Sequence, residues 1–186
     1  VVSTVAAGAA LRDWRPTDPG QRALREAFLG FLAARPEDAC LRSCEPGHLT
    51  ASAVLLDHDG RNVLLTLHPR VGRWIQLGGH CEPDDATLTD AALREAEEES
   101  GIDGLILEPE PLHLDVHPIT CSLGLPTRHF DVRFVARAPR GAQERISEES
   151  VDLRWWPVDR LPTDNDSIPE LVALARTRSL PGSVRR

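Results

Sequence analysis

Glu95, Glu98 and Glu99 stand at i, i+3 and i+4 in the run Arg94-Glu95-Ala96-Glu97-Glu98-Glu99-Ser100-Gly101-Ile102. On a helix of ~3.6 residues per turn that spacing puts three carboxylates on one face, within roughly 100°. Carboxylates so placed repel one another, by ~0.2–0.5 kcal/mol per exposed pair. A hard divalent cation relieves the repulsion, and Mg²⁺ typically combines carboxylates with the phosphate oxygens of a substrate. Most charge runs are solvated faces with no ligand. Two features set this one apart. The acids fall in the last turn before Gly101, where the negative end of the helix dipole disfavours them. Arg94 precedes the cluster, and Gly78-Gly79 precedes the helix.

A second polar set has the period of a strand. In His113-x-Asp115-x-His117 the three side chains share one face of a strand, and His129 and Asp131 share one on a later strand. If the two strands are neighbours, five polar groups meet over the acidic helix face, where they could take a second metal or a substrate phosphate or base. The ordinary origin of such alternation is a solvent-facing side of a half-buried sheet. His80 directly follows Gly79, placing it in reach of a substrate or in a purely structural loop. Trp74, Trp155 and Trp156 could stack on a base, but core packing is the expectation for two of the three.

The elements that must position these groups follow from periodicity and breakers. Gln21 to Arg35 reads as a helix, with Leu24, Phe28, Phe31 and Leu32 in one apolar stripe and Pro36 ending it. Docking of that stripe on the main domain is favoured over docking on a partner chain. Residues 1–20 read as a loosely ordered lead-in. Leu49 to Leu56 and Asn62 to Leu67 read as strands around the turn Asp57-His58-Asp59-Gly60. Trp74 to Leu77 reads as a short strand broken by Gly78-Gly79. Ala86 to Ser100 reads as a helix with Asp85 as N-cap, or Thr87 with Asp90 a turn further in, and Gly101 as C-cap. Leu112 to Val116, His129 to Ala136 and Val151 to Pro157 read as strands, with Pro118 to Thr127 a loop. A last helix runs from a cap at Asn165 or Asp166 to about Arg178. Strands and helices mix without regular alternation, which favours an α+β fold with a mixed sheet.

The whole chain bounds these readings. With 186 residues it has the length of about one domain. Its net charge of −8 argues against a duplex nucleic-acid binder, which needs a basic stripe. No apolar run approaches the ~20 residues of a membrane span, and no signal-peptide pattern precedes the first helix. All 21 basic residues are arginine, a composition typical of a GC-rich genome. Cys40, Cys44, Cys81 and Cys121 read as reduced thiols of a cytoplasmic protein. Cys40-x3-Cys44 near His48 is too loose a spacing for structural zinc, and no second pair follows.

From Gly79 to Ile102 the sequence resembles the box of the Nudix, or MutT-like, hydrolases. That pattern is a Gly, five residues, a Glu, seven residues, then Arg-Glu-apolar-x-Glu-Glu-x-Gly-apolar. Here Asp85 stands for the first Glu, and eight residues rather than seven separate it from Arg94. This form looks like that of a bacterial subgroup with a one-residue insertion. The resemblance implies an α/β/α sandwich with a mixed sheet. The expected organisation is an N-terminal extension with one helix over 1–46, a hydrolase domain over 47–180 and a frayed tail over 181–186. It implies Mg²⁺ or Mn²⁺ held by Glu95, Glu98, Glu99 and the backbone of Gly79. Glu95 or Glu98 is then the general base or water-orienting group, and Arg94 orients the glutamates. His80, His129, Asp131 and Glu149 are candidate substrate contacts, and Glu148 or Glu149 a candidate extra acid. The implied reaction cleaves a diphosphate bond in a nucleoside diphosphate linked to another moiety, such as a nucleoside triphosphate or nucleotide sugar. The partner is thus a small phosphorylated substrate, with no duplex nucleic acid and no membrane, and the chain a monomer or homodimer. Two alternatives stand beside this reading. One is an isopentenyl-diphosphate isomerase on the same fold, which needs a catalytic Cys and for which Cys81 is a poor positional match. The other is a nucleotide-sensing module without catalysis, against which the retention of all three glutamates argues.

Overall fold

The computed structural model describes residues 1–69, 72–120, 124, 126–146, 151–162, 165 and 167–178. The chain forms an α+β sandwich around one mixed sheet. In order it contains α1 (Thr4–Asp13), α2 (Pro19–Ala34), β1 (His48–Leu56), β2 (Asn62–Leu67), β3 (Trp74–Ile75) and β4 (Leu77–His80). Then follow α3 (Leu88–Ser100), β5 (Ile106–Leu107), β6 (His113–Thr120), β7 (Pro126–Arg137), β8 (Asp152–Pro157) and α4 (Ser167–Thr177). None of the helices is long and apolar enough to cross a membrane, among the described residues.

The sheet is organised around β1. It runs parallel to β7 along its whole length, from His48 opposite His129 to Leu56 opposite Arg137. Its first half also pairs antiparallel with β4, Thr50 opposite His80 and Ser52 opposite Gly78. Its last two residues turn into the hairpin with β2. β7 in turn pairs antiparallel with β6, so that His117 meets His129 and Asp115 meets Asp131.

Alternation along β1 separates two environments. Leu49, Ala51, Ala53 and Leu55 project to one face, under α1, α2 and α3. Val54 and Leu56 project to the other, where Ile168, Leu171 and Val172 of α4 cover them. His48, Thr50 and Ser52 share the parity of Val54 and Leu56, so that face changes from apolar to polar along one strand. The polar half is where the site forms.

Residues 1–20 do not stay loosely ordered. Ser3 accepts a hydrogen bond from the Ala6 amide and caps α1, and Asp18 caps α2 with Pro19 as its first residue. Ala7, Leu11 and Trp14 are buried in the same core as Phe28 and Leu32. A helix whose one buried large apolar residue is Leu11, with Val5 exposed and Gly8 central, carries little periodic signal, and tertiary packing makes it. The stripe on α2 docks on the chain's own domain, with Phe31 stacked on Phe130 at 4.1 Å between ring centroids and Phe28 edge-on to it at 5.2 Å. The expected tail over 181–186 lies outside the described residues.

Gly78 and Gly79 continue a strand rather than ending one. The loop expected over Pro118 to Thr127 is shorter, because β6 runs to Thr120 and β7 begins at Pro126. The α3 boundary follows the inner of the two expected caps: Thr87 and Asp90 form a reciprocal capping box, and Gly101 closes the helix in the left-handed conformation.

Candidate active site

α3 packs across β1 and β4, which brings the acidic run to the Gly-Gly strand. Contact there is too close for side chains on β4. A Cβ on Gly79 would stand 2.5 Å from Oε1 of Glu95, and one on Gly78 would stand 2.3 Å from Cβ of Ser52. The two glycines therefore admit the carboxylate of Glu95 on one side and the backbone of β1 on the other. The Gly78 amide donates to Oε2 of Glu99 at 3.0 Å, fixing that carboxylate against β4.

Arg94 organises the rest. Its Nη1 donates to Glu98 at 2.9 Å and to Glu95 at 3.2 Å, its Nε and Nη2 to Asp85 at 3.1 Å, and its Nη2 to the His80 carbonyl at 2.8 Å. Asp85 also accepts from the Glu82 amide. Burial works against the Asp85 charge, but Arg94 and the backbone donor outweigh it and hold the carboxyl below its ordinary value. The residue in place of the family's first Glu is thus a buried anchor for Arg94 and for the loop that enters α3. The glutamates divide in accessibility: the Glu95 side chain is 12% exposed and that of Glu98 60%. Glu95, Glu98 and Glu99 all line one cavity of about 420 Å³, together with Gly79, His80, Arg94, His129 and Asp131.

The opposite wall of that cavity is the polar half of the sheet. The expected neighbouring of the two period-two strands is realised as the β6–β7 pair. Its five groups do not act alike. Asp131 is buried and accepts from Thr50 at 3.1 Å, Ser52 at 2.8 Å, Gln76 at 3.2 Å and Arg133 at 3.0 Å. A carboxylate with four donors is committed to holding β1, β7 and Gln76 together, and it serves substrate only through the groups it orients. Asp115 bonds Nδ1 of His117 at 2.7 Å and Arg133 at 2.9 Å, and its pKa is lowered chiefly by the His117 bond, against burial. His117 and His129 line the cavity. His113 points elsewhere, with Nε2 at 2.8 Å from the Gln21 side chain of α2.

Thr50, Ser52, Gln76 and Arg42 also line the cavity and were not among the expected contacts. The signal for Thr50 and Ser52 was the alternation His48-x-Thr50-x-Ser52, the same period-two pattern read on β6 and β7. Trp74, Trp155 and Trp156 do not reach the cavity. Trp74 and Trp156 pack edge-on to each other over the α4 side of the core, and Trp155 packs on the α3 side with Nε1 donating to Glu144. Glu148 and Glu149 lie outside the described residues. Cys81 is buried, with its thiol pushed up to about 12 by burial, and it does not line the cavity. Cys40 and Cys44 join no cluster of metal-ligating groups among the described residues.

The donor set on α3 fits a hard divalent ion. Three carboxylates and a glycine backbone share one wall, and the guanidinium of Arg94 bonds Glu95 and Glu98 there.

Comparison with known proteins gives the same outline. A family model described as the NUDIX domain matches residues 46–175. The m7GpppN-mRNA hydrolase NUDT17 of Bos taurus is 33% identical over 103 residues, which are 50% of this chain and 34% of that protein, so the chain spans about a third of the length of this curated relative. A MutT protein from Methanosarcina mazei Go1 superposes with a TM-score of 0.55 at 17% identity, covering 72% of this chain and 96% of that one. A UDP-X diphosphatase superposes with a TM-score of 0.52 at 18% identity, covering 91% of this chain and 90% of that one. At such identities the two solved structures establish the shared fold, and the family rests on the model that matches more than half of the chain. With the Arg94-centred acidic helix set against a Gly-Gly strand inside the matched region, the chain belongs to the NUDIX family.

Proposed function

We propose that this protein is a divalent-metal-dependent pyrophosphohydrolase that cleaves a diphosphate bond in a nucleoside diphosphate linked to another moiety. The observation that carries the proposal is the acidic face of α3 opening into the 420 Å³ cavity with Arg94 spanning Asp85, Glu95 and Glu98. Glu95, Glu98, Glu99 and the Gly79 carbonyl are the groups that would hold Mg²⁺ or Mn²⁺. When bound, such an ion neutralises charge on the phosphate oxygens and lowers the pKa of a coordinated water.

The chain's own residues supply the rest. Glu98, on the exposed rim, or Glu95, against Gly79, accepts the proton of the attacking water. Arg94 holds both carboxylates at fixed distances through charge-assisted bonds, so neither has to be ordered during the reaction. Asp131, through Thr50, Ser52 and Gln76, keeps the facing wall rigid. The name of the bovine relative, an m7GpppN-mRNA hydrolase, supports the same broad substrate class. The buried, neutral Cys81 thiol off the cavity wall weighs against an isomerase that needs a catalytic cysteine. Cytoplasmic residence and a monomeric or homodimeric state belong to the same proposal.

The test is a Mg²⁺-dependent screen of nucleoside triphosphates, nucleotide sugars, dinucleoside polyphosphates and capped dinucleotides, read by product chromatography with Glu98→Gln alongside. Cleavage by the parent that collapses in the variant supports the hydrolase and names its substrate. Metal-dependent binding without cleavage supports a sensing module instead.

A further inference from the structure

Two imidazoles of the cavity wall, His80 and His129, cluster with a third, His48, which is buried and does not line the cavity. Ring centroids of His48, His80 and His129 form a triangle with sides of 5.1, 5.0 and 5.0 Å. One ring nitrogen from each lies within 4.8 Å of the other two, and among the described residues this is the one group of three or more ligand-type side chains that converges so closely. The arrangement follows from the sheet. His48 and His129 are register partners across the parallel β1–β7 pair, and His80 lies opposite Thr50, two residues along β1.

The hydrogen bonding of His48 and His129 is incomplete. His48 is buried, and its Nδ1 lies 3.4 Å from the Cys44 carbonyl, which can only accept. Nδ1 therefore carries the proton, and Nε2 presents a bare lone pair. That Nε2 is buried with no hydrogen-bond partner, and so is Nε2 of His129. Two buried, unpartnered imidazole nitrogens in one cluster call for an electron-pair acceptor. An anion is the wrong ligand, because it needs protonated rings. Burial lowers the His48 value, and burial with the neighbouring His48 and His117 brings His129 down to about 4. The Arg42 charge also disfavours their protonation, while Asp131 offsets it at His129. His117 stands beside the triangle, 5.4 Å from His129 between centroids, with its Nδ1 on the Asp115 carboxylate.

We propose that His48, His80 and His129 form a binding site for one borderline transition-metal ion of the Zn²⁺ class, distinct from the hard-ion site on α3. Imidazole nitrogen suits Zn²⁺ and Co²⁺, whereas Mg²⁺ takes oxygen. Zn–N bonds of ~2.0–2.1 Å in a tetrahedron put nitrogens about 3.3 Å apart, so the rings have to close inward by up to about 1.5 Å. Three protein ligands leave a fourth position open, the pattern of catalytic rather than closed structural zinc sites. His80 and His129 line the same cavity as Glu95, Glu98 and Glu99, so an open position on their side of the triangle faces the space a phosphorylated substrate would fill. The site stands independently of the hydrolase proposal, since an inactive chain could bind the ion equally well.

The test is a Co²⁺ titration of the chelator-treated full chain, with excess Mg²⁺ present to occupy oxygen sites, followed by visible absorption. The expected result is one equivalent bound with the intense bands of four-coordinate cobalt. His80→Ala and His129→Gln are each expected to weaken binding by about 100-fold or more, beyond the 10–100-fold typical of losing an outer-shell partner. Glu98→Gln is expected to bind as the parent does. Thermal melts without metal identify any variant that fails to fold, and His80→Gln, on a partly exposed residue, then replaces it. No binding, six-coordinate bands only, loss of the bands in Glu98→Gln, or parent affinity in the folded histidine variants would each overturn the proposal.

Discussion

Two polar regions share the cavity and are built by opposite means. The acidic region comes from a single helix, where Glu95, Glu98 and Glu99 are neighbours in sequence and one guanidinium reaches both Glu95 and Glu98. The imidazole and Asp131 region comes from β1, β4, β7 and the adjoining Gln76, with no two of its residues adjacent in the chain. The helix side tolerates exposure, and Glu98 extends toward solvent. The sheet side is more buried, and Asp131 spends all its capacity on internal donors. A helix face can thus present reactive groups cheaply, whereas a sheet face presents them only when a buried network keeps the strands in register.

Substitutions can break this contrast. The largest expected effect is Glu98→Gln on the helix side. Loss of a general base typically costs 10²–10⁴ in rate, about 3–5 kcal/mol of transition-state stabilisation. Because Glu98 is exposed, the melting temperature should stay near that of the parent; a matching loss of stability would show that the helix face is structural too. Asp131→Ala should do the reverse. It leaves Thr50, Ser52, Gln76 and Arg133 facing an empty acceptor position, and denaturant unfolding should report a loss of about 3–5 kcal/mol. An unchanged midpoint would put Asp131 among substrate contacts instead.

Gly78→Ala tests the seam between the two regions. Its Cβ would meet Ser52 at 2.3 Å, on a backbone with φ of 153°. Overpacking of this kind costs about 1–3 kcal/mol, to be measured as a shifted unfolding midpoint at constant slope. The smallest effect belongs to His113, which burial holds below its ordinary 6.5. The unfolded chain takes up that proton first, so His113 contributes a loss of stability as pH falls from about 6.5 through the depressed folded value. His113→Gln should flatten that part of the melting temperature against pH, and an identical slope in the variant would remove His113 from the account.

The same contrast explains what was legible. A 24-residue stretch from Gly79 to Ile102 held the acidic region, its guanidinium and its capping signals at fixed helical spacing, and periodicity alone put the carboxylates on one face. His129 and Asp131 were legible as a period-two pair, but the exhaustion of Asp131 by four donors depends on partners from β1 and the β3–β4 segment. His48 was read as a neighbour of Cys44, because its true companions lie on strands whose order no local pattern encodes. α1 was missed because its burial comes from α2 and the sheet, and not from a stripe of its own.

One contact made by α2 bears on how an edge of the sheet is covered. The Gln21 side chain accepts from the Leu114 amide at 2.7 Å and donates to the Leu114 carbonyl at 3.1 Å. Among the described residues β6 pairs with no strand but β7, so its outer rim is a template for another strand. The amide of Gln21 occupies that rim as a single-residue plug. A version of the protein trimmed to begin after α2 would open the rim and strip Phe28 and Phe31 from Phe130 at once, and self-association through β6 is what such a truncation should be expected to produce.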